Sequence, residues 1–94
     1  MSKNITKITE EQRDYLERLA YETGAYKDLL ASALRLGLGD TPGYEKEMKL
    51  YAESYAAYET AKREVVEGAT GHRIGDLNWE IDFGSCTLTY EVAR

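Results

Sequence analysis

Leu77-Asn78-Trp79-Glu80-Ile81-Asp82-Phe83-Gly84-Ser85-Cys86-Thr87-Leu88-Thr89-Tyr90-Glu91-Val92 alternates apolar and polar residues on both sides of a Gly-Ser pair. Period-two alternation broken by turn-forming residues reads as a β-hairpin. With Gly84-Ser85 as a two-residue loop, Gly84 takes the first position of a type II′ turn. Phe83 then opposes Cys86, Ile81 opposes Leu88, Trp79 opposes Tyr90 and Leu77 opposes Val92. The pairs Asp82–Thr87, Glu80–Thr89 and Asn78–Glu91 fall on the other face. A slip of one residue would exchange the faces. Two strands alone are marginal in water, so the apolar face must rest on the remainder of the chain. Both outer edges are expected to stay open to another strand.

Two helices precede the hairpin. Thr9 followed by Gln12 has the spacing of a capping box, and Glu10 and Glu11 suit the positive end of a helix dipole. The stripe Tyr15, Leu16, Leu19, Ala20, Thr23, Tyr26, Leu30, Ala33 and Leu34 follows steps of three and four. This predicts a first helix over 9–36, closed by Gly37 in a left-handed cap. Gly24 interrupts it at a cost of roughly 1 kcal/mol, and Tyr21 projects near its polar face. Gly24 and Tyr21 read first as a tolerated glycine and a half-exposed tyrosine; the alternative is close approach of a partner at Gly24, with Tyr21 in its contact surface. Thr41 then caps and Pro42 opens a second helix over 42–67, ended by Gly68. So short a link makes the helices antiparallel neighbours.

The second helix carries Tyr44, Met48, Tyr51, Tyr55, Tyr58, Lys62 and Val65 in alternating steps of four and three, a seam of about three heptads. Beside it runs a strip of smaller residues: Leu50, Ser54, Ala57 and Ala61. Together they cover about half the circumference, more than one packing surface needs. The first helix is expected to cover the small strip. Tyr44, Met48, Tyr51, Tyr55 and Tyr58 then need another cover, which the hairpin, a second copy or a partner could supply; with Trp79 and Tyr90 of the hairpin they form the candidate interface, since tyrosine joins an apolar body to a polar tip.

The glycine-rich linker 68–76 holds His72, the only histidine, beside Arg73. These two residues form a candidate anion site, although no P-loop or dinucleotide fingerprint is present. Cys86 with His72 is the only Cys–His pair, and Cys86 is expected in the core, where a thiol is inert. His72, Asp76 and Cys86 lack metal-ligand spacing. No pair of carboxylates stands out as a buried acid–base couple. The expectation is no catalytic residue, no metal and no cofactor.

The chain has 94 residues, enough for one domain, with 12 basic and 17 acidic side chains and a net charge of −5. Phosphate backbones repel such a surface, and no basic run exceeds Lys62-Arg63, so direct nucleic-acid binding is not expected. Met1–Lys7 lacks the apolar run of a signal peptide, and no stretch is apolar enough to span a membrane. A lone cysteine points to a reducing, cytoplasmic setting.

The reading is therefore α+β: an antiparallel helical hairpin followed by a two-stranded β-hairpin over 77–92, in a single domain that forms a homodimer or higher oligomer. The leading functional expectation is a non-enzymatic protein-binding module with a basic partner. In size and charge the chain is similar to small acidic proteins of phages and mobile elements that inhibit nucleases or other nucleic-acid-binding enzymes. One alternative is a structural, self-assembling protein. Another is a binder of a small anionic or nucleotide-like ligand through aromatics with Arg73 and His72.

Overall fold

A computed structural model describes residues 3–93; Met1, Ser2 and Arg94 lie outside the described residues, the first two being part of the segment read as lacking a leader. The order is strand β1 (Asn4–Lys7), helix α1 (Glu10–Arg35), helix α2 (Pro42–Thr70), a 3₁₀ turn (Ile74–Asp76), strand β2 (Leu77–Asp82) and strand β3 (Thr87–Val92). This is a mixed α+β chain in which two helices pack as a hairpin and the C-terminal strands form an antiparallel sheet. Its internal contacts divide it into two units. Residues 1–17 and 60–94 form one, and residues 18–59 the other.

The first unit holds the sheet. β2 and β3 pair in the register read from the alternation, Leu77 with Val92 through Asp82 with Thr87. The sheet has a third strand, however, and its order is β1-β3-β2. β1 pairs antiparallel with β3, Asn4 with Tyr90 through Lys7 with Thr87. The expectation of two open hairpin edges is therefore corrected: β3 is the central strand, and only β2 keeps the hairpin's open edge. Ile5 and Thr6 are β-branched and fit a pleated edge. Beyond them Ile8 is buried, and its N–H donates to the Cys86 carbonyl at 2.9 Å.

The turn also differs from expectation. Gly84 does not adopt positive φ; Cys86 does, at φ 55°. The Asp82 carboxylate explains the change. Its Oδ1 accepts the Gly84 N–H at 3.0 Å and the Ser85 N–H at 3.4 Å. This side-chain turn winds the backbone in the common four-residue hairpin loop, Phe83–Cys86, whose last residue is left-handed. Cys86 is accordingly half-buried rather than part of the core. Leu16, Val66 and Leu88 are the fully buried side chains. Arg13 of α1 reaches the hairpin loop, and Lys62 of α2 reaches Trp79 on β2. Arg13 Nη1 donates to the Phe83 carbonyl at 3.2 Å, and Lys62 Nζ lies 5.9 Å from the Trp79 ring.

The helix ends follow local chemistry. The Thr9 N–H donates to Gln12 Oε1 at 2.8 Å and the Gln12 N–H to Thr9 Oγ1 at 3.0 Å, which closes the capping box. Thr9→Ala should lower stability by about 1 kcal/mol, measured by urea unfolding, with Thr9→Ser near wild type. Equal midpoints for Ala and wild type would show that the box carries no net stability. Arg13 bonds Asp14 at 2.9 Å, and that hydrogen bond holds the guanidinium pKa above its ordinary value. At the other end of α2, Gly68 does not stop the helix. It continues to Thr70, whose hydroxyl bonds the Val66 carbonyl, and Gly71 takes the left-handed cap at φ 75°. The span read as linker is thus helix up to Thr70 and 3₁₀ from Ile74. A mid-helix glycine costs only about 1 kcal/mol, less than the packing of Val65 and Val66 that surrounds it.

Candidate protein-interaction surface

The unit of residues 18–59 is a helical hairpin whose closed end is built from two side-chain-independent and side-chain-dependent stops. Gly37 has φ 74°, the Gly37 N–H donates to the Leu34 carbonyl at 3.1 Å, and the Leu38 N–H to the Ala33 carbonyl at 2.9 Å. This Schellman pattern ends α1 and needs a residue without a Cβ penalty. Thr41 then caps α2: its Oγ1 accepts the Tyr44 N–H at 3.2 Å and its hydroxyl donates to the Leu38 carbonyl at 2.8 Å. Leu36 and Leu38, on either side of the glycine, are both exposed.

Between the helices, Thr23 and Ser54 share a hydrogen bond of 2.8 Å. Ser54 belongs to the small strip of α2, so α1 covers that strip here. Ala57 in the same strip stays exposed. The unit is thinly buried. Among its described residues, only Leu19, Thr23 and Leu30 are buried, whereas Tyr21, Leu29, Leu34, Leu36, Leu38, Met48 and Tyr55 are exposed. Leu34, expected on the packed stripe of α1, is 58% exposed. Tyr15, on the same stripe in the other unit, is also exposed. Beyond its own helical turn, a Cβ on Gly24 would meet no atom within 4 Å.

The tyrosine seam divides by burial. Tyr44, Tyr51 and Tyr58 are half-buried, while Met48 is 48% and Tyr55 49% exposed. The Tyr51 and Tyr55 rings lie 6.1 Å apart at 51°, a tilted aromatic pair. In the other unit, Trp79 and Tyr90 are direct cross-strand neighbours. Each has a further companion: Lys62 lies over Trp79, and the His72 ring is 6.3 Å from that of Tyr90. A shallow dent of about 170 Å³ lies beside them, bordered by Lys3, Asn78, Glu80, Thr89 and Glu91.

His72 and Arg73 are both exposed. Three backbone donors of this segment are engaged within the chain. The His72 N–H donates to Thr70 Oγ1, the Asp76 N–H to the Arg73 carbonyl, and the Ile74 N–H to the Glu67 carboxylate at 2.9 Å.

The sequence reading passed over the leucines that flank the cap and Leu29, which sits one residue off the stripe. Leu29, Leu30, Ala33, Leu38, Thr41, Gly43, Tyr44 and Glu47 line a hollow of about 290 Å³. The signal for it is Leu38, a large apolar residue just past the cap glycine Gly37. Helical periodicity does not reach it.

Among the described residues, no helix is long and apolar enough to cross a membrane, and no group of three or more His, Cys, Asp or Glu could hold a metal ion. No family model matches the sequence, and comparison with curated proteins and with solved structures gives no match.

Proposed function

We propose that this chain is a non-enzymatic protein-binding module that engages a basic partner, acting as an inhibitor when that partner is a nucleic-acid-binding protein. The observation that supports this reading is the thin burial of residues 18–59. Seven large apolar or aromatic side chains are exposed there among the described residues, against three buried residues. So much exposed apolar surface on so small a unit supports an interaction site, and tyrosine and methionine are enriched at such interfaces. The net charge of −5 steers a basic partner toward it.

The experiment is a paired capture. The wild-type chain and a Met48→Ala/Tyr55→Ala variant are immobilised and offered the same lysate, with bound proteins identified by mass spectrometry. A basic protein held by wild type should be lost with the variant, since central contacts commonly contribute more than 1 kcal/mol each. Association rate should fall as salt shortens the screening length to about 3 Å near 1 M. A partner that ignores both the substitutions and salt would overturn the reading.

The same thin burial also favours a second reading, self-assembly into a homo-oligomer. Light scattering across a concentration series separates the two. Self-association through the tyrosine seam would raise the mass with concentration, persist in high salt and weaken in Tyr55→Ala. A constant monomer mass would exclude it.

A further inference from the structure

Strand β2 leaves one edge of the sheet unpaired. The Ala93 N–H donates to the Asp76 carbonyl, so the bonded pairs of β2 with β3 are Asn78–Glu91, Glu80–Thr89 and Asp82–Thr87. Leu77, Trp79 and Ile81 therefore turn their backbone groups to the open edge. The Leu77 N–H is spent on the Ile74 carbonyl. Facing outward are the N–H groups of Trp79 and Ile81 and the carbonyls of all three, a template for another strand. The side chains along this edge alternate. Leu77, Trp79 and Ile81 share the face of buried Leu88, whereas Asn78, Glu80 and Asp82 lie on the other face and are exposed. Glu80 shares its row with Thr89 and Ile5, so that row holds no cation. Lys7 belongs to the far strand, and Lys3 borders a dent together with two acids, Glu80 and Glu91.

A second copy of the chain fits this edge poorly. A twofold axis would pair β2 antiparallel with its own symmetry mate. Two in-phase registers give the longest overlap, over 77–81 or 78–82. Centred on Trp79, the pairing sets Asp76 opposite Asp82; centred on Glu80, it sets the two Glu80 side chains opposite each other. Like charges directly opposite are destabilising. Charge complementarity therefore selects a basic strand. We propose that the open edge of β2 takes an extended segment of a basic partner as a further strand, antiparallel to β2, with lysine or arginine opposite Glu80 and Asp82 and apolar residues opposite Trp79 and Ile81. Both pairings already in the sheet are antiparallel. The inference rests on the basic-partner reading above and adds a contact outside residues 18–59. Main-chain bonds give such an addition its affinity, and the alternating side chains give its specificity. Asp82 Oδ1 is held by the Gly84 and Ser85 N–H groups, so Glu80 carries more of the charge contact.

The test needs no identified partner. The capped peptide Lys-Val-Lys-Val-Thr, which opposes Asp82 through Asn78 in that order, is titrated into the full ¹⁵N-labelled chain. So short a peptide binds weakly, and millimolar concentrations are used. Saturable shifts should centre on the Trp79 and Ile81 amides, whose hydrogen exchange should slow. N-methylation of both valines removes the N–H groups that face β2 and should weaken binding at least about tenfold. N-methylation of both lysines, whose N–H groups face away, should leave binding near that of the parent. Glutamate in place of lysine, or Glu80→Lys in the chain, should weaken it about fivefold. Ile81→Pro removes an outward donor and spares the bonds to β3, so it should abolish binding with the circular dichroism unchanged. Equal binding by the two N-methylated peptides, or by the glutamate peptide and the parent, would overturn the inference. Shifts spread over the acidic helix faces instead of β2 would do the same. Because the peptide acts on the isolated chain, that failure leaves the capture experiment standing. Peptide binding at β2 with no captured basic protein would instead remove the proposed function. A chain mass that rises with concentration and falls back in Ile81→Pro would make the occupant a second copy, and the assignment to a separate partner would be overturned.

Discussion

Leu88→Ala should destabilise the protein by about 2–5 kcal/mol, the cost of deleting buried methyl groups and leaving part of the space empty. Leu88 is fully buried on the central strand, between Thr6 on β1 and Ile81 on β2. The unit's other fully buried side chains, Leu16 and Val66, come one from each helix. A core this small has few neighbours able to close over a void. Small domains have total stabilities of about 5–15 kcal/mol, so the loss is a large fraction of the whole. Urea unfolding followed by circular dichroism measures it, with Thr87→Ala on the same strand as the control. A loss below about 1 kcal/mol would mean that β3 is not central to the core.

The features legible in the sequence are those decided within a few residues. Thr9 with Gln12, Gly37, and Thr41 with Pro42 each act on backbone within one turn, and each is found where the spacing placed it. The β2–β3 register was legible because both strands carry their own alternation, and a slip would put Leu88 in water. β1 was not legible for the opposite reason. Its pairing joins Asn4 to Tyr90 across almost the whole chain, and its four residues are too few to show a period. The turn was misread because glycine was given the positive φ by type, whereas the Asp82 carboxylate determines which way the loop winds. Of the candidate site, the tyrosine seam followed from helical spacing. The hollow did not, since it depends on Leu38 being carried past the helix end by the Gly37 cap to line the same hollow as Tyr44 and Glu47 of the second helix.

Thr6→Pro should cost roughly 1–3 kcal/mol and expose one side of β3, while Ile5→Pro one residue away should stay within about 1 kcal/mol of wild type. The contrast follows from the hydrogen-bond alternation of antiparallel strands. The Ile8 N–H donates to the Cys86 carbonyl, so the pair Ile8–Cys86 is a bonded one. Counting back in twos, Thr6–Leu88 and Asn4–Tyr90 are bonded pairs, and Ile5–Thr89 is not. The opposite side of β3 gives the same phase. The Ala93 N–H donates to the Asp76 carbonyl at 2.8 Å, so the odd-numbered residues of β3 serve β2 and the even-numbered ones serve β1. The Thr6 N–H therefore points into the sheet, and proline deletes a ladder bond and places a ring against Leu88. The Ile5 N–H points outward, its side chain is 72% exposed, and an edge strand tolerates proline on that side. Unfolding midpoints give the energetic contrast. Hydrogen exchange gives the local one: the Leu88 and Tyr90 amides should lose protection in Thr6→Pro and keep it in Ile5→Pro. Equal effects of the two prolines would show that β1 does not hold this register. Selective loss in Thr6→Pro, together with concentration-dependent association of that variant, would identify the first strand as the cover that keeps β3 from pairing with another chain.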